Sequence, residues 1–214
     1  MKYKNNFSNI DLERKISWVR LEQMQKEDTL FYSQVIKENG RGNGLLLKIE
    51  CLQAFLPNNH LGDNTKREEI IGKRVLLQFL EVNEERNCLI VSNRKALVTL
   101  RLKQIKVGDL ITGKVIAIRE YGLIVNIGNL AVLLHISEIS QVAVERIDLN
   151  SIFKVDDEIK AIIIWMDIEK GRVAVSTKEL ELEPGDMLKN SQLVYENAET
   201  MAVRYHKLII SQSH

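Results

Sequence analysis

The sequence is poor in the residues that build disulfide frameworks and metal sites. Its 214 residues include two cysteines, four histidines and two prolines. Cys51 and Cys88 form no Cys-x-x-Cys pair and lie near no histidine in the sequence, which argues against a disulfide scaffold or a zinc site and favours a reducing compartment. Both thiols are expected to be buried as small apolar side chains rather than to act as nucleophiles.

Long apolar runs and an excess of one charge are also absent. No uncharged apolar run reaches the roughly 18 residues of a membrane span, and the longest run, 161–166, has the length of a strand. The N-terminus lacks the apolar region of a secretory signal, so we expect the protein to act in the compartment where it is made. Lys and Arg number 30 against 29 Asp and Glu, so any polyanion must be bound by a local patch.

Catalytic signatures are missing too. The sequence contains no GxxxxGK[ST], HExxH, GxSxG or dinucleotide-binding glycine motif, and its four histidines share no metal-ligand spacing. Adjacent acids such as Asp156 and Asp157 would point to opposite faces of a strand. We therefore predict a binding protein with no catalytic residue, no cofactor, no metal site and no small-molecule substrate.

An internal repeat organises the chain. Residues 44–57 align without a gap with 122–135, and residues 75–97 align with 159–181 further along. The offset grows from 78 to 84 between the two blocks, which indicates a difference in loop length. Two matching blocks in the same order predict two copies of one fold of about 70–75 residues.

Each copy has the pattern of a small β-barrel. Apolar residues recur with period two, as Leu123, Val125 and Ile127 do in the second copy, which is typical of strands with one buried face. Five short strands with a long third connection favour a closed barrel of the OB type. The predicted fold class is therefore mainly β, with two tandem five-stranded OB-type barrels and flanking and linking helices. The strands of the second copy are expected at 110–119, 121–127, 130–134, 158–167 and 172–177.

Helical patterns flank the two copies. Asp11 is expected to cap a lead helix that Trp18 packs onto the first barrel, and Asp186 is expected to cap one tail helix. The apolar stripes of these helices are Leu12, Ile16 and Val19 in the lead helix and Val194, Ala198, Met201 and Tyr205 in the tail. The predicted division is a helix at 1–27, a first barrel at 28–95, a basic connector at 96–106, a second barrel at 107–181 and a helical tail at 182–214.

Several motifs of the second copy follow one another in the order found in a known family. They are Val107-Gly108-Asp109, Tyr121-Gly122, the run LLHISEIS at 133–140, Val155-Asp156-Asp157 and the run GRVAVSTK at 171–178. In this order they resemble the S1 domain, the RNA-binding repeat of bacterial-type small-subunit ribosomal protein S1. The first copy resembles an inner repeat of that family, and the tail run ELEPGDMLKN resembles the segment after the last repeat in its cyanobacterial and plastid members.

The resemblance implies that the second barrel binds single-stranded RNA on one face, through stacked bases and through cations along the phosphates. Tyr121 stands at the first aromatic position of the family's Phe-Gly-x-Phe motif, and Ile124 replaces the second aromatic. Asp167 and Arg172 stand where the family has its acid and its base. The expected RNA-binding residues are Tyr121, Gly122, Ile124, His135, Asp167, Arg172, Lys114 and Arg119.

We expect the Tyr121 ring, the His135 imidazole and the Arg172 guanidinium to form one cradle on the exposed side of the second barrel. Each also has a structural alternative. Tyr121 would be a rim aromatic without a ligand, His135 would close a turn, and Arg172 would be a solvated strand-end charge. Trp165 is expected in the core.

The first copy lacks these residues. Asn43 stands in place of the tyrosine and Pro57 in place of the histidine, while Phe55 aligns with Leu133 and is expected in the core. We therefore expect the first barrel to dock on protein or ribosomal RNA rather than to contact messenger bases.

The resemblance predicts a ribosomal protein that binds single-stranded messenger RNA at the small subunit, with small-subunit proteins and ribosomal RNA as further partners and no membrane partner. The expected location is the plastid (chloroplast) ribosome, and the alternative is the bacterial cytoplasm. Two other functions stay open. One is a non-ribosomal RNA-binding or RNA-chaperone module in RNA turnover, and the other is a scaffold whose barrels bind protein.

Overall fold

The computed structural model describes residues 9–63, 65–142 and 149–212. They form two compact units that divide between Leu100 and Arg101. Each unit contains one closed five-stranded barrel, which confirms the predicted fold class. In this part of the chain, no helix is both long and apolar enough to cross a membrane.

The first unit consists of a long helix, five strands and a short helix. These are α1 (Asn9–Lys26), β1 (Phe31–Glu38), β2 (Gly44–Ile49), β3 (Leu52–Pro57), α2 (Arg67–Ile70), β4 (Arg74–Asn83) and β5 (Cys88–Ser92). The strands close a barrel in the order β1-β2-β3-β5-β4, with β3 and β5 parallel and the other pairs antiparallel. Helix α3 (Asn93–Gln104) follows and contains the boundary between the two units.

The second unit repeats this barrel and adds a helical tail. Its elements are β6 (Leu110–Arg119), β7 (Gly122–Asn126), β8 (Ala131–His135), α4 (Leu149–Ile152), β9 (Glu158–Asp167), β10 (Arg172–Ser176), α5 (Asp186–Lys189), α6 (Ser191–Glu196) and α7 (Ala198–Gln212). The strand order β6-β7-β8-β10-β9 is the order of the first barrel. All five strands agree with their predicted positions to within one residue at each end.

Alternation along the strands decides which side chains fill the second barrel. Leu123, Val125, Leu134 and Val175 are fully buried, whereas their neighbours along the strands point outward. Because the side-chain period of a strand is two, a slip of one residue would turn these apolar groups to solvent. The buried side chains therefore fix the register of the strands and, with it, the side chains that the outer surface presents.

Helix α1 packs on the first barrel through one of its two apolar sides. Trp18 and Leu21 are 3% and 1% exposed within the core of that barrel, so the role predicted for Trp18 is confirmed. The stripe predicted from Leu12, Ile16 and Val19 instead lies in solvent. The reason is geometric, since the side of the helix that carries the large indole is the one that faces β4.

The tail differs from the single helix that the sequence predicts. The chain breaks at Asn190 (φ −154°, ψ 78°), and the side chain of this residue then caps α6 by accepting a hydrogen bond from the backbone N–H of Leu193 (3.3 Å). Asp186 does not cap its helix, because its carboxylate accepts from the N–H of Glu183. The predicted stripe is buried at Val194, Ala198 and Met201 and half-buried at Tyr205.

A buried carboxylate ties this tail to the second barrel. Glu181 is 2% exposed, and its two oxygens accept four hydrogen bonds. The donors are Ser140 Oγ (2.7 Å) and the backbone N–H groups of Gln141 (2.8 Å), Met187 (2.8 Å) and Gly185 (3.3 Å). A buried charge is tolerated only with such partners, so the tail packs as part of the second unit.

The two thiols are less buried than predicted. Cys51 is exposed, where its Sγ lies 3.4 Å from Ser17 Oγ, and Cys88 is half-buried near the end of the β4–β5 hairpin. Desolvation, reinforced by the nearby Glu81 carboxylate, raises the pKa of the Cys88 thiol. A raised pKa keeps this thiol protonated and therefore weakly nucleophilic.

We predict that Gly122→Ala destabilises the second barrel much more than Gly128→Ala. Gly122 has φ +145°, and a Cβ placed there would lie 2.2 Å from the carbonyl oxygen of Leu134. Gly128 also has a positive φ, +81°, but a Cβ there would meet nothing within 4 Å. We expect a loss of at least about 3 kcal/mol at Gly122 and about 1 kcal/mol at Gly128, measured by urea denaturation. Equal losses would contradict the packing role of Gly122.

Candidate nucleic-acid interface

One line of side chains crosses the outer surface of the second barrel. Strand pairing joins Ala117 to Ile124, Ile124 to Leu133, Leu133 to Ala174 and Ala174 to Trp165. We call these five residues the outer row. Four of them are half-buried and Trp165 is 51% exposed, so the outer row offers a continuous apolar surface to solvent.

Tyr121 and His135 lie beside each other on one side of the outer row, next to Ile124 and Leu133. Gly122 pairs with His135 between β7 and β8, and the N–H of Ile136 donates to the carbonyl of Tyr121 (2.9 Å). The Tyr121 side chain is 52% exposed, and His135 is exposed. The strand pairing thus presents a phenol ring and an imidazole side by side in solvent.

His135 has a structural role as well as an exposed ring. Its Nδ1 accepts a hydrogen bond from the N–H of Ser137 (3.3 Å) and lies 2.9 Å from Ser137 Oγ, which caps the 3-10 turn Ile136–Glu138. When Nδ1 accepts from an amide, the proton of the neutral ring sits on Nε2. The turn therefore holds the ring with an N–H donor available to a phosphate or a base.

Arg172 and Lys114 lie on the opposite side of the outer row. Lys114 pairs with Asn126, and Arg172 pairs with Asp167 at the β9–β10 turn. The carboxylate of Asp167 is committed to that turn, because it accepts from the N–H of Lys170 (3.0 Å) and lies 3.6 Å from its Nζ. Asp167 therefore shapes the turn rather than facing a ligand with a free charge.

Three of the predicted cations are exposed and carry no ion pair. These are Lys114, Arg119 and Arg172. Within residues 9–63, 65–142 and 149–212, none of their charged groups forms a hydrogen bond or salt bridge. Lys178, in contrast, pairs with Glu138 at 3.6 Å. The free cations flank the outer row on both of its sides, Arg119 on the side of Tyr121 and the other two on the opposite side, where they supply the positive charge that the net charge of the chain does not.

The predicted cradle is more extended than the sequence suggested. Tyr121, His135 and Arg172 all lie on the outer side of the barrel, but they do not meet at one point. Leu133 pairs with Ala174 in parallel strands, so His135 and Arg172 are displaced from that pair in opposite directions. Four residues of strand separate their positions, about 13 Å at roughly 3.3 Å per residue. The outer row, with Leu133 in its middle, crosses the barrel between these two positions.

Gly122 has a packing role that the sequence alone did not reveal. It is buried, and its missing side chain lets β7 approach the Leu134 carbonyl and the His135 backbone on β8. The sequence-based expectation was that Gly122 lets a base or phosphate approach the backbone closely. The close approach of two strands is the observed reason for glycine.

Trp165 is not in the core, and the prediction that placed it there is wrong. A bulge in β9 shifts the pairing between Ala174 and Val175, so Ile163 points inward while Trp165 joins the outer row. The apolar run that contains it has no alternation from which the bulge could be read.

The first barrel has an equivalent row with different chemistry. Its members are Lys37, Leu46, Phe55, Ile90 and Glu81, joined by pairing in the same order. Phe55 is half-buried on the outside, so its predicted place in the core is wrong, although its alignment with Leu133 holds. Its ring covers Gly44, where a Cβ would lie 2.4 Å from Cε2. The row of the first barrel therefore contains one half-buried ring, that of Phe55, and has Lys37 at one end and Glu81 at the other.

Comparisons with known proteins agree with this geometry. A profile of the S1 RNA binding domain matches residues 104–178, which contain the second barrel. Small ribosomal subunit protein bS1 of Synechococcus sp. is 43% identical over 92% of this chain and 63% of its own length. The bS1A protein of Synechocystis sp. is 45% identical over 87% of this chain and 56% of its own. The bS1c protein of Spinacia oleracea is 35% identical over 92% of this chain and 47% of its own length. The chain thus spans about half to two thirds of the length of these relatives.

The two roles of His135 can be separated by substitution. Asparagine is a good capping residue, so His135→Asn is expected to keep the turn and the melting temperature while it removes the ring. We predict that this variant binds oligouridylate about 5-fold more weakly or worse, since a lost stacking partner is worth about 1–3 kcal/mol. His135→Ala should lose stability as well. Unchanged affinity of His135→Asn in a fluorescence anisotropy titration would reduce His135 to a turn cap.

Proposed function

Because the chain belongs to the family of small ribosomal subunit protein bS1, we propose that it binds single-stranded RNA on the outer row of its second barrel and acts at the small ribosomal subunit. The observation that carries this proposal is the outer row itself. It is an exposed apolar surface with the Tyr121 and His135 rings along one side and unpaired cations along both sides.

The apolar surface suits unpaired bases. Bases stack on aromatic rings with about 1–3 kcal/mol each and with little regard to their identity. Tyr121 and His135 offer two rings on one side of the outer row. Ile124 and Leu133, which belong to the row, offer aliphatic contacts next to them. We therefore expect weak selectivity for sequence and a strong preference for single strands over duplexes, whose bases are already stacked.

The cations suit the phosphates that join those bases. Three side chains are free to contact phosphate oxygens, Lys114, Arg119 and Arg172. Each phosphate contact contributes a slope of about −0.7 to log K against log salt for single strands, so three contacts give about −2. The binding is thus electrostatic in part although the chain carries a net charge of only +1.

The ribosomal part of the proposal comes from the relatives. They are named as proteins of the small ribosomal subunit, and one of them is a spinach protein of the bS1c type. We assign the chain to a ribosome of cyanobacterial or plastid type. The sequence is rich in Ile, Asn and Lys, a bias that often accompanies an AT-rich genome, and this favours the plastid. The likeness concerns RNA binding, and we propose no catalytic activity. The first barrel, with its covered ring and its Glu81, is assigned to docking on protein or ribosomal RNA.

The ribosomal assignment predicts co-sedimentation with small subunits. Cyanobacterial small subunits, washed with high salt to remove resident bS1, are mixed with the chain and separated on a sucrose gradient. We expect about one copy of the chain per subunit in the small-subunit fraction. A variant that lacks both rings, Tyr121→Ala with His135→Ala, is expected to stay with the subunits, because the first barrel is assigned to docking.

Recovery of the chain only at the top of the gradient would contradict the ribosomal role. If the same preparation still binds oligouridylate, the chain would instead be a free RNA-binding module. Loss of co-sedimentation in the double variant would transfer docking to the second barrel.

A further inference from the structure

The outer row ends in a large aromatic side chain to which no role has been assigned. Trp165 is 51% exposed on β9, whereas the only other tryptophan of the chain, Trp18, is 3% exposed. An indole exposes more apolar surface than any other side chain, and folding gains nothing from leaving it in water. This exposure leaves about half of the indole open to contact with a ligand.

The neighbours of Trp165 are those of a nucleotide site. Ala174, whose side chain is a single carbon, is its partner on β10, and Arg172 lies two residues away on the same strand with a free guanidinium. Two residues beyond Trp165 on its own strand, Asp167 is paired with Lys170, which offsets its negative charge. A base on the indole would therefore have its phosphate near a cation, and the carboxylate on the same strand is already paired.

The repeat supplies an internal comparison. The first barrel has Glu81 at the position of Trp165, paired with Ile90 as Trp165 is paired with Ala174. The two barrels share strand order and the bulges of their corresponding strands, so the difference lies in the side chain. Glu81 pairs with the Arg86 guanidinium at 4.0 Å, and its carboxylate has no ring on which a base could stack, whereas an indole stacks on a base.

We propose that Trp165 is a nucleotide-stacking residue that extends the RNA path across β10 to β9. This inference rests on the proposed function and adds to it a second aromatic contact. Ile124 cannot stack where an aromatic residue is expected on β7, and Trp165 supplies an aromatic surface at the β9 end of the same row. Unpaired bases then run from Tyr121 and His135, beside Ile124 and Leu133, to Trp165 and Arg172.

The test uses the indole as its own probe. Full-length chain is titrated with a dodecamer of uridylate, and binding is followed both by anisotropy of a label on the RNA and by tryptophan emission. Because Trp18 is buried, we expect the RNA to quench mainly Trp165 and to protect it from iodide. In Trp165→Phe the quenching should vanish while the affinity falls only about 2-fold, since phenylalanine still stacks.

Two further variants measure the contribution of the ring. Trp165→Ala is expected to weaken binding about 5- to 150-fold, the range that corresponds to one stacked base. Trp165→Glu introduces the residue that the first barrel has at this position. It should weaken RNA binding further, and the loss of affinity should be largest at low salt, where repulsion between the carboxylate and the phosphates is least screened. Val203→Ala is the matched control, because Val203 is similarly exposed (58%) but lies on helix α7. It should bind like the unaltered chain.

The outcomes separate this inference from the proposed function. Two results together would overturn the role of Trp165 and leave RNA binding by the barrel intact. They are an unchanged affinity of Trp165→Ala, and unquenched tryptophan emission of the unaltered chain at RNA concentrations where the anisotropy is saturated. That result would assign the exposed indole to a protein contact, in which tryptophan is also common. Absence of any anisotropy change with the unaltered chain would overturn both proposals.

Discussion

The pairing of β7 with β8 is the constraint on which the outer surface of the second barrel depends. Gly122 pairs with His135, and only glycine fits so close to the Leu134 carbonyl. This contact sets the register that buries Leu123 and Leu134 and turns Ile124 and Leu133 outward. A slip of one residue would exchange the two sets, so the same packing that stabilises the core also builds the surface offered to RNA.

The two barrels show how one fold supports two surfaces. Strand order and pairing are the same, and the equivalent rows occupy the same positions. In the second barrel the row ends in Trp165, whereas in the first it ends in Glu81 and its only ring, Phe55, covers Gly44. Such divergence on a retained scaffold is expected when side chains on the outside of a barrel are free of packing constraints and those inside are not.

The sequence predicts the barrels well because their core follows a regular period of two. The placement of Tyr121 and His135 also follows, since both are adjacent to strand ends marked by turns. Two features were out of reach. The β9 bulge that turns Trp165 outward leaves no trace in a run of apolar residues, and the length of the outer row depends on the parallel pairing of Leu133 with Ala174, which are far apart in the chain.

The central claim is that single-stranded RNA lies along the outer row of the second barrel, and photo-crosslinking tests it most directly. Irradiation of the full chain with 4-thiouridine-containing RNA, followed by peptide mass spectrometry, should place crosslinks on Tyr121 or His135, beside the row, and on Trp165, at its β9 end. Crosslinks confined to helix α3 or to the helices of the tail, with none on β7, β8 or β9, would contradict the account.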